Sequence, residues 1–426
     1  MSQPSIEQIS QIYFKRFISR PPQLPSLPHP DTKIIWVIPC YNESHVVGTL
    51  ASLARNAPPR FPVEILIVIN SSSKDDKTTI QQNKKSELQI KQWIEQEQPH
   101  FLACKIIHVD DLPPKHAGVG LARKIGMDEA LYRFATIGYD GLIMNLDADC
   151  TVSADYLQTI EDQYLTKTPS VVTTYFEHDL DQIRQPELRQ GIIYYELFLR
   201  YYINGLRYAG FPHAFHTVGS CMGCRASTYA LSGGMNRRKA GEDFYFLHKA
   251  GALGNVLEIT DTTVYPSART SDRVPFGTGK AQMDWLDNSS PHRNLYHPQS
   301  FEDLKTFFTQ IPHWYQNHNT WPQIQAKLLP ESIQYFIQSY DFEQVWAHLQ
   351  ANTRSWPVFR QQFFAWWNGF RVLKYIHATR DHFYPLISSE EASFRLLKKL
   401  CILKTSRSLT AEALLKQYRA LDRQKR

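Results

Sequence analysis

Residues 141–149 read Gly141-Leu142-Ile143-Met144-Asn145-Leu146-Asp147-Ala148-Asp149. A short apolar run closed by acids is the pattern of a strand buried on both faces. The carboxylates at i and i+2 can turn into one crevice together, a costly like-charge arrangement unless a cation neutralises it. A divalent ion bridging a diphosphate does so: Mg²⁺ takes one or two carboxylates with phosphate oxygens, and Mn²⁺ shares the preference for hard oxygen ligands. The plainer alternative is a solvated turn, where Asp is common.

Upstream, three more apolar runs, Lys33–Ile38, Val63–Ile69 and Cys104–Val109, alternate with helical stretches at 44–55, up to about 98, and 118–135. Alternation of this kind predicts βαβ units and a mainly parallel sheet flanked by helices. Ligands in such sheets bind beyond the carboxyl ends of the strands. Polar residues do follow each run: Pro39 to Ser44, Asn70 to Asp76, Asp110-Asp111, and Asp147-Ala148-Asp149. Downstream the pattern predicts a helix to about Leu165, a strand over Val171–Phe176, and a long aromatic helix over 186–210. A strand over His216–Met222, a helix over Glu242–Gly251 and a strand over Val256–Tyr265 follow. Beyond about Phe276 the chain reads as helices. The expected division is an N-terminal arm and Pro-rich linker (1–32, with prolines at 21, 22, 25, 28 and 30), an α/β catalytic domain (33–280) and a helical C-terminal domain (281–426).

Composition narrows the class. The chain has 426 residues, with 47 Lys+Arg against 41 Asp+Glu and a net charge of +6, too mild an excess for a nucleic-acid surface. Its 42% hydrophobic and 21% charged residues exclude a disordered or coiled-coil chain. The six cysteines lack the spacing of a disulfide framework and favour a reducing compartment. His213, His216, Cys221 and Cys224 have the ligand types of a tetrahedral zinc, although Val218 to Cys221 reads more simply as strand. The opening residues lack the apolar core of a signal peptide, and no apolar run approaches the roughly 18–20 residues of a membrane span. The expected location is cytoplasmic, with peripheral contact at the inner membrane face left open.

A second acidic pair, Glu242-Asp243, opens an amphipathic helix after Gly241. Carboxylates there are stabilised by the helix dipole and can project towards a bound acceptor; ordinary helix-start chemistry would also place acids there.

Taken together these segments resemble a family 2 glycosyltransferase with the GT-A fold, a mixed, mainly parallel sheet flanked by helices. Ile38 to Glu43 is similar to the family's opening loop, Gly118 to Lys124 to its Gly-Ala-Arg helix, and Asp147-Ala148-Asp149 to its DXD metal motif. Gly233-Gly234-Met235 with Gly241-Glu242-Asp243 is similar to its acceptor segment. The resemblance implies that Pro39, Tyr41 and Glu43 line a nucleotide pocket, with Arg123 nearby. It implies that Asp147 and Asp149 hold ribose and metal-diphosphate through Mg²⁺ or Mn²⁺, and that Asp243, with Glu242 beside it, is the catalytic base. A single base with no second nucleophile implies inversion at the anomeric carbon. The donor expected is a nucleotide diphosphate sugar, UDP-sugar foremost, and the acceptor an unidentified hydroxyl, with no nucleic acid. Where the family has an acidic base-reading loop, this chain has Asn70 or Ser71; an Asn amide can still pair with a pyrimidine edge.

The family's processive Q-x-x-RW motif is missing, which implies single transfer. Arg269 to Lys280 stands in its place, and Arg269 and Arg273, with Gly277 and Gly279, have the makings of a phosphate clamp; a solvated linker is the plainer reading. Lys115, just before Gly118, invites the same interpretation. Phe359, Phe363, Trp366, Phe370 and Leu373 fall at helical spacing and are expected to pack against the catalytic domain, an acceptor wall or an anionic membrane surface being alternatives. Two other functions compete: a sugar-1-phosphate nucleotidylyltransferase, disfavoured because Pro39 to Glu43 contains no glycine, and a non-catalytic nucleotide-sugar binding protein.

Overall fold

The computed structural model describes residues 4–18, 20–318, 329–404 and 407–424. In chain order its first elements are α1 (Ile6–Phe17), β1 (Ile34–Cys40), α2 (Val46–Ala54), β2 (Val63–Ser72), α3 (Lys77–Gln96), β3 (Leu102–Leu112) and α4 (Val119–Thr136). Then come β4 (Leu142–Asn145), β5 (Thr151–Val152), α5 (Tyr156–Lys167), β6 (Val171–Phe176), α6 (Pro186–Tyr208), β7 (Met222–Arg225), α7 (Ala226–Leu231), α8 (Glu242–Gly251) and β8 (Val256–Tyr265). Later helices include α9 (Thr278–Leu286), α10 (Pro298–Gln316), α11 (Glu331–Gln338), α12 (Phe342–Asn352), α13 (Trp356–Trp366), α14 (Gly369–His382), α15 (Ser389–Lys399) and α16 (Ala411–Arg423).

The chain divides into two compact units: Met1–Ile183 with Thr217–Lys280 and Arg423–Arg426, and Arg184–His216 with Ala281–Asp422. This differs from a contiguous 33–280 and 281–426, because α6 belongs with the C-terminal helices.

The first unit is built on eight strands ordered β3-β2-β1-β4-β7-β6-β8-β5. β1 runs parallel to β2 and β4, and β2 to β3, while β7 is antiparallel to both β4 and β6. β1 and β2 are buried almost throughout, as their continuous Ile/Val/Leu runs require. α4 lies so close to this sheet that a Cβ at Gly126 would stand 2.4 Å from Val37 Cγ1.

Two expectations change. No strand covers His216–Met222; Gly219–Cys221 is a tight turn and the strand begins at Met222. The reason is steric: a Cβ at Gly219 would lie 2.4 Å from the Arg123 guanidinium, so the backbone bends to admit it. The described N-terminal residues are not a loose arm. Ser5 and Gln8 form a capping box that starts α1, the Tyr13 hydroxyl donates to Asp128 at 2.6 Å, and Lys124 reaches that hydroxyl at 2.6 Å. The proline stretch is strapped to α4, with Gln23 N–H on Glu129 at 2.7 Å and Arg133 on Ser26 O at 2.7 Å.

In the second unit Phe307, Phe336 and Tyr375 surround Trp367, while Phe359 and Phe363 stack on one another. The aromatic stripe thus forms the helical unit's own core, with Phe370 left exposed beyond the break at Asn368. What ties α6 to this unit is charge. Arg200 (2.6 Å), Arg207 (2.7 Å) and Asn204 (2.9 Å) of α6 and His216 (3.1 Å) converge on buried Asp422 of α16. Burial alone would raise the Asp422 pKa, but His216 and the two arginines outweigh it and hold it well below the usual carboxylate range. His216 is engaged here, and among the described residues the one group of three or more metal-ligand side chains within reach of one another is Asp147, Asp149 and Cys150, not the His213, His216, Cys221 and Cys224 set.

Candidate active site

The carboxyl ends of β1, β2 and β4 open on one side of the sheet, and the loops beyond them carry the candidate residues. After β4, Asp147, Asp149 and Cys150 offer ligand atoms within 4.8 Å of one another. Asp147 pairs with Arg123, whose other arm pairs with Glu242. Arg123 is only 3% exposed, so this bridge ties α4, the β4 loop and the start of α8 together. Burial would lower the Arg123 pKa, but Asp147 and Glu242 more than compensate and raise it, so the guanidinium stays charged.

Asp149 is held from above. The Arg269 guanidinium lies 2.9 Å from Asp149 Oδ2 and also forks onto Glu43, through NH1 at 3.0 Å and through NH2. Arg273 donates to Glu43 at 3.2 Å and to Tyr41 O at 2.8 Å. Burial would raise the Glu43 carboxyl, but hydrogen bonds from Arg269 and His45 N–H, with the charge of both arginines, bring it below its ordinary value. For Asp149 the balance goes the other way: burial and then Asp147 raise its pKa against the pull of Arg269.

Asp243, one residue into α8, is half-buried and accepts the Phe244 N–H at 2.7 Å. Burial, then adjacent Glu242, raises its pKa to about 7. Of the acidic pair, Glu242 is buried and paired with Arg123, while Asp243 makes no ion pair among the described residues.

Asn70, near the end of β2, is 2% exposed, and its Oδ1 has no hydrogen-bond partner among the described residues. Asn83 fixes the neighbouring backbone by donating to Asn70 O at 3.0 Å and accepting Asn42 N–H at 2.8 Å. Pro39 lies in β1, whereas Lys115 is exposed in the turn before α4 and makes no ion pair among the described residues. Arg123, expected beside a nucleotide, is buried as a brace under the carboxylates. Sequence reasoning missed Cys150 as a neighbour of the acids, Gly219 as the slot for Arg123, and Glu43 as the anchor of both loop arginines. Only Gly219, in a Gly-Ser-Cys turn, left any local signal.

The family model described as Glycosyl transferase family 2 matches residues 35–230. No curated protein matches this sequence. Similar solved structures include S. aureus TarS 1-349 in complex with UDP-GlcNAc, at 13% identity over 92% of this chain and 90% of that one, TM-score 0.40. S. aureus TarS 1-349 alone aligns at 14% identity over 66% and 74%, TM-score 0.37. GalNAc-T7 with UDP, GalNAc and Mn²⁺ aligns at 13% over 66% and 50%, TM-score 0.35. The match to the Glycosyl transferase family 2 model spans β1 to β7 of the mixed sheet, including the loops after β1, β2 and β4 that carry Glu43, Asn70, Asp147 and Asp149.

Proposed function

We propose that the protein is a metal-dependent, inverting, non-processive glycosyltransferase moving a sugar from a nucleotide diphosphate, uridine foremost, to a hydroxyl acceptor. The observation that carries this reading is the pairing of Asp149 and Glu43 with Arg269 and Arg273. Two carboxylates are neutralised by arginines from one loop, and that loop can exchange its partners for a phosphate.

The donor set fits a hard divalent ion. Asp149 and Asp147 would hold Mg²⁺ or Mn²⁺, with Cys150 adjacent, and Arg269, now on Asp149, would then be available to the diphosphate. Such an ion would supply charge stabilisation to a departing diphosphate. Arg269 and Arg273 add forked hydrogen bonds to phosphate oxygens. Asn70 Oδ1, an unsatisfied buried acceptor, receives the imide N–H of uracil. Asp243 takes the proton of the acceptor hydroxyl as its oxygen attacks the anomeric carbon and the bond to the diphosphate oxygen breaks. With Glu242 bound to Arg123, no second carboxylate serves as nucleophile from α8, which favours inversion. No helix among the described residues is long and apolar enough to cross a membrane.

The test is a thermal-shift panel of nucleotide sugars with and without Mn²⁺. A donor at about 100 times its Kd stabilises the fold by about 2.7 kcal/mol. If no nucleotide sugar stabilises the protein in Mn²⁺, the reading fails.

A further inference from the structure

Tyr13 of α1 is 2% exposed and joins that helix to α4 and α7. Its hydroxyl donates to Asp128 Oδ1 of α4 at 2.6 Å, and the Tyr229 hydroxyl of α7 donates to the same oxygen at 2.6 Å. Lys124, one residue after Arg123, donates to the Tyr13 hydroxyl at 2.6 Å and to Asp128 at 3.2 Å, with its ammonium 5.1 Å from the centre of the Tyr13 ring. A buried ammonium depends on such partners, because its desolvation is costly unless they are in place. The cluster therefore fixes α1 against α4 and α7, and the proposed chemistry uses none of its four side chains.

Two routes lead from Tyr13 to α8, the helix of Asp243. In the first, the ring centres of Tyr13 and Tyr229 lie 5.5 Å apart, and Tyr229 in turn lies 5.9 Å from Phe246, three residues beyond Asp243 on the helix. The second runs through the Gly233-Gly234 turn between α7 and α8. Both glycines have positive φ, +75° and +73°, which disfavours any side chain there. A Cβ at Gly234 would also stand 2.1 Å from the Tyr13 hydroxyl oxygen. One at Gly233 would stand 3.2 Å from Lys249 Nζ of α8 and 3.6 Å from Phe17 Cζ of α1.

The start of α8 is held separately, by Arg123 on Glu242. Arg123 and Lys124 are neighbours on α4 and point about 100° apart, so one turn of that helix braces the first residue of α8 while it binds Tyr13. The body of α8 and its first residue are thus both tied, through α7 and α4, to one side chain of α1.

We infer that Tyr13 is a positioning residue for the proposed transfer: from α1 it fixes α8 against α4 and α7, and thereby holds the Asp243 carboxylate in place. This deepens the proposed function and rests on its assignment of Asp243 as the base. Tyr13 acts through Tyr229 and Lys124 without touching substrate. The charged groups that act on Asp243 are Glu242 on its own helix, Arg123 of α4 and Asp147 after β4. Loosening α8 admits water beside Asp243 and weakens the burial that, ahead of Glu242, raises its pKa.

The test follows Asp243 itself, in the full chain without metal or nucleotide. Isotope-labelled aspartate carboxyls are titrated by NMR, and the Asp243 signal is the one lost in Asp243→Asn. The parent signal is expected to titrate at about 7. In Tyr13→Phe, which keeps the ring and removes only the hydroxyl, it is expected to move down by about one pH unit, the scale of one buried hydrogen bond. Tyr229→Phe takes the other hydroxyl from Asp128, is expected to act in the same direction, and decides the matter should Tyr13→Phe fail to fold. Asp422→Asn, a destabilising change in the helical unit, should leave the Asp243 titration where it is, which separates positioning from lost stability. An Asp243 signal unmoved by removal of these hydroxyls, or moved as far by Asp422→Asn, overturns the proposal. So does a parent Asp243 that titrates as an ordinary carboxylate, since nothing then holds it in a buried place. The base assignment fails on a different result, full nucleotide release by Asp243→Asn, which keeps the two ideas distinguishable.

Discussion

The Arg269 guanidinium lies 2.9 Å from a carboxylate oxygen of Asp149 and at the same time holds Glu43, so one loop cation joins two acids. If Asp149 holds the metal of the proposed donor complex, the loop arginine and that complex would compete for one carboxylate.

That competition is measurable. In Arg269→Gln, Mn²⁺ without nucleotide is expected to bind about tenfold more tightly, one charge-assisted hydrogen bond having been removed from its ligand. Transfer with saturating donor is expected to fall, because the same arginine is needed on the diphosphate. Titrating the free Mn²⁺ signal by electron paramagnetic resonance reads the first effect. An unchanged Mn²⁺ affinity would mean that Arg269 and the ion do not share Asp149.

As the proposed base, Asp243 would set a pH dependence. Its pKa is raised to about 7 by burial and by Glu242, and the base acts only when deprotonated. Below that pH, kcat/KM for nucleotide release from the donor is expected to decline by about tenfold per unit, as for any single-proton base. Asp243→Asn should lower release by at least about a hundredfold and flatten this acid limb. A normal acid limb in the variant would assign the titration elsewhere.

Gly219 admits the Arg123 side chain. Gly219→Ala places a methyl 2.4 Å from the Arg123 NH2 atom, against a brace that is 3% exposed. Overpacking of this kind costs about 1–3 kcal/mol. Chemical denaturation is expected to show that loss, and nucleotide release should drop as Asp147 and Glu242 shift with Arg123. A variant as stable and as active as the parent would show that the turn can relax.

The strands were legible because β1, β2 and β4 are continuous apolar runs with polar residues at the carboxyl end of each. Asp147 and Asp149 stood out for the same reason: two acids closing a buried strand have few ordinary uses. The partnership of Glu43 with Arg269 was not legible, since it joins residues 226 positions apart and neither residue has any local reason to signal the other. The strand expected over His216–Met222 failed for a tertiary reason, the bulk of Arg123 at Gly219. The aromatic spacing from Phe359 to Phe363 correctly announced a buried face, but periodicity does not say which partner buries it. Similarly, nothing local in α6 shows that Arg200, Asn204 and Arg207 meet at Asp422.

Asp422 governs the acid stability of the helical unit. Its folded pKa is depressed by His216, Arg200 and Arg207, so its contribution is present above the unfolded value and lost as pH falls below it towards the folded one. Unfolding followed by circular dichroism should therefore show stability declining below about pH 4, the ordinary Asp range. Asp422→Asn should cost about 3–5 kcal/mol at neutral pH by stranding buried cations, and should reduce that acid dependence. A neutral effect would mean that water or rearrangement satisfies the arginines.

The account turns on a metal-dependent donor site at Asp149, and calorimetric titration of UDP into the full chain tests it most directly. In Mn²⁺ the protein is expected to bind UDP at one site. In excess EDTA, or in Asp149→Asn with Mn²⁺ present, the affinity should fall by at least about tenfold, while circular dichroism shows the fold intact. Equal UDP affinity with Mn²⁺ and with EDTA would contradict the account, because Asp149 would then be neutralised by Arg269 alone throughout the reaction.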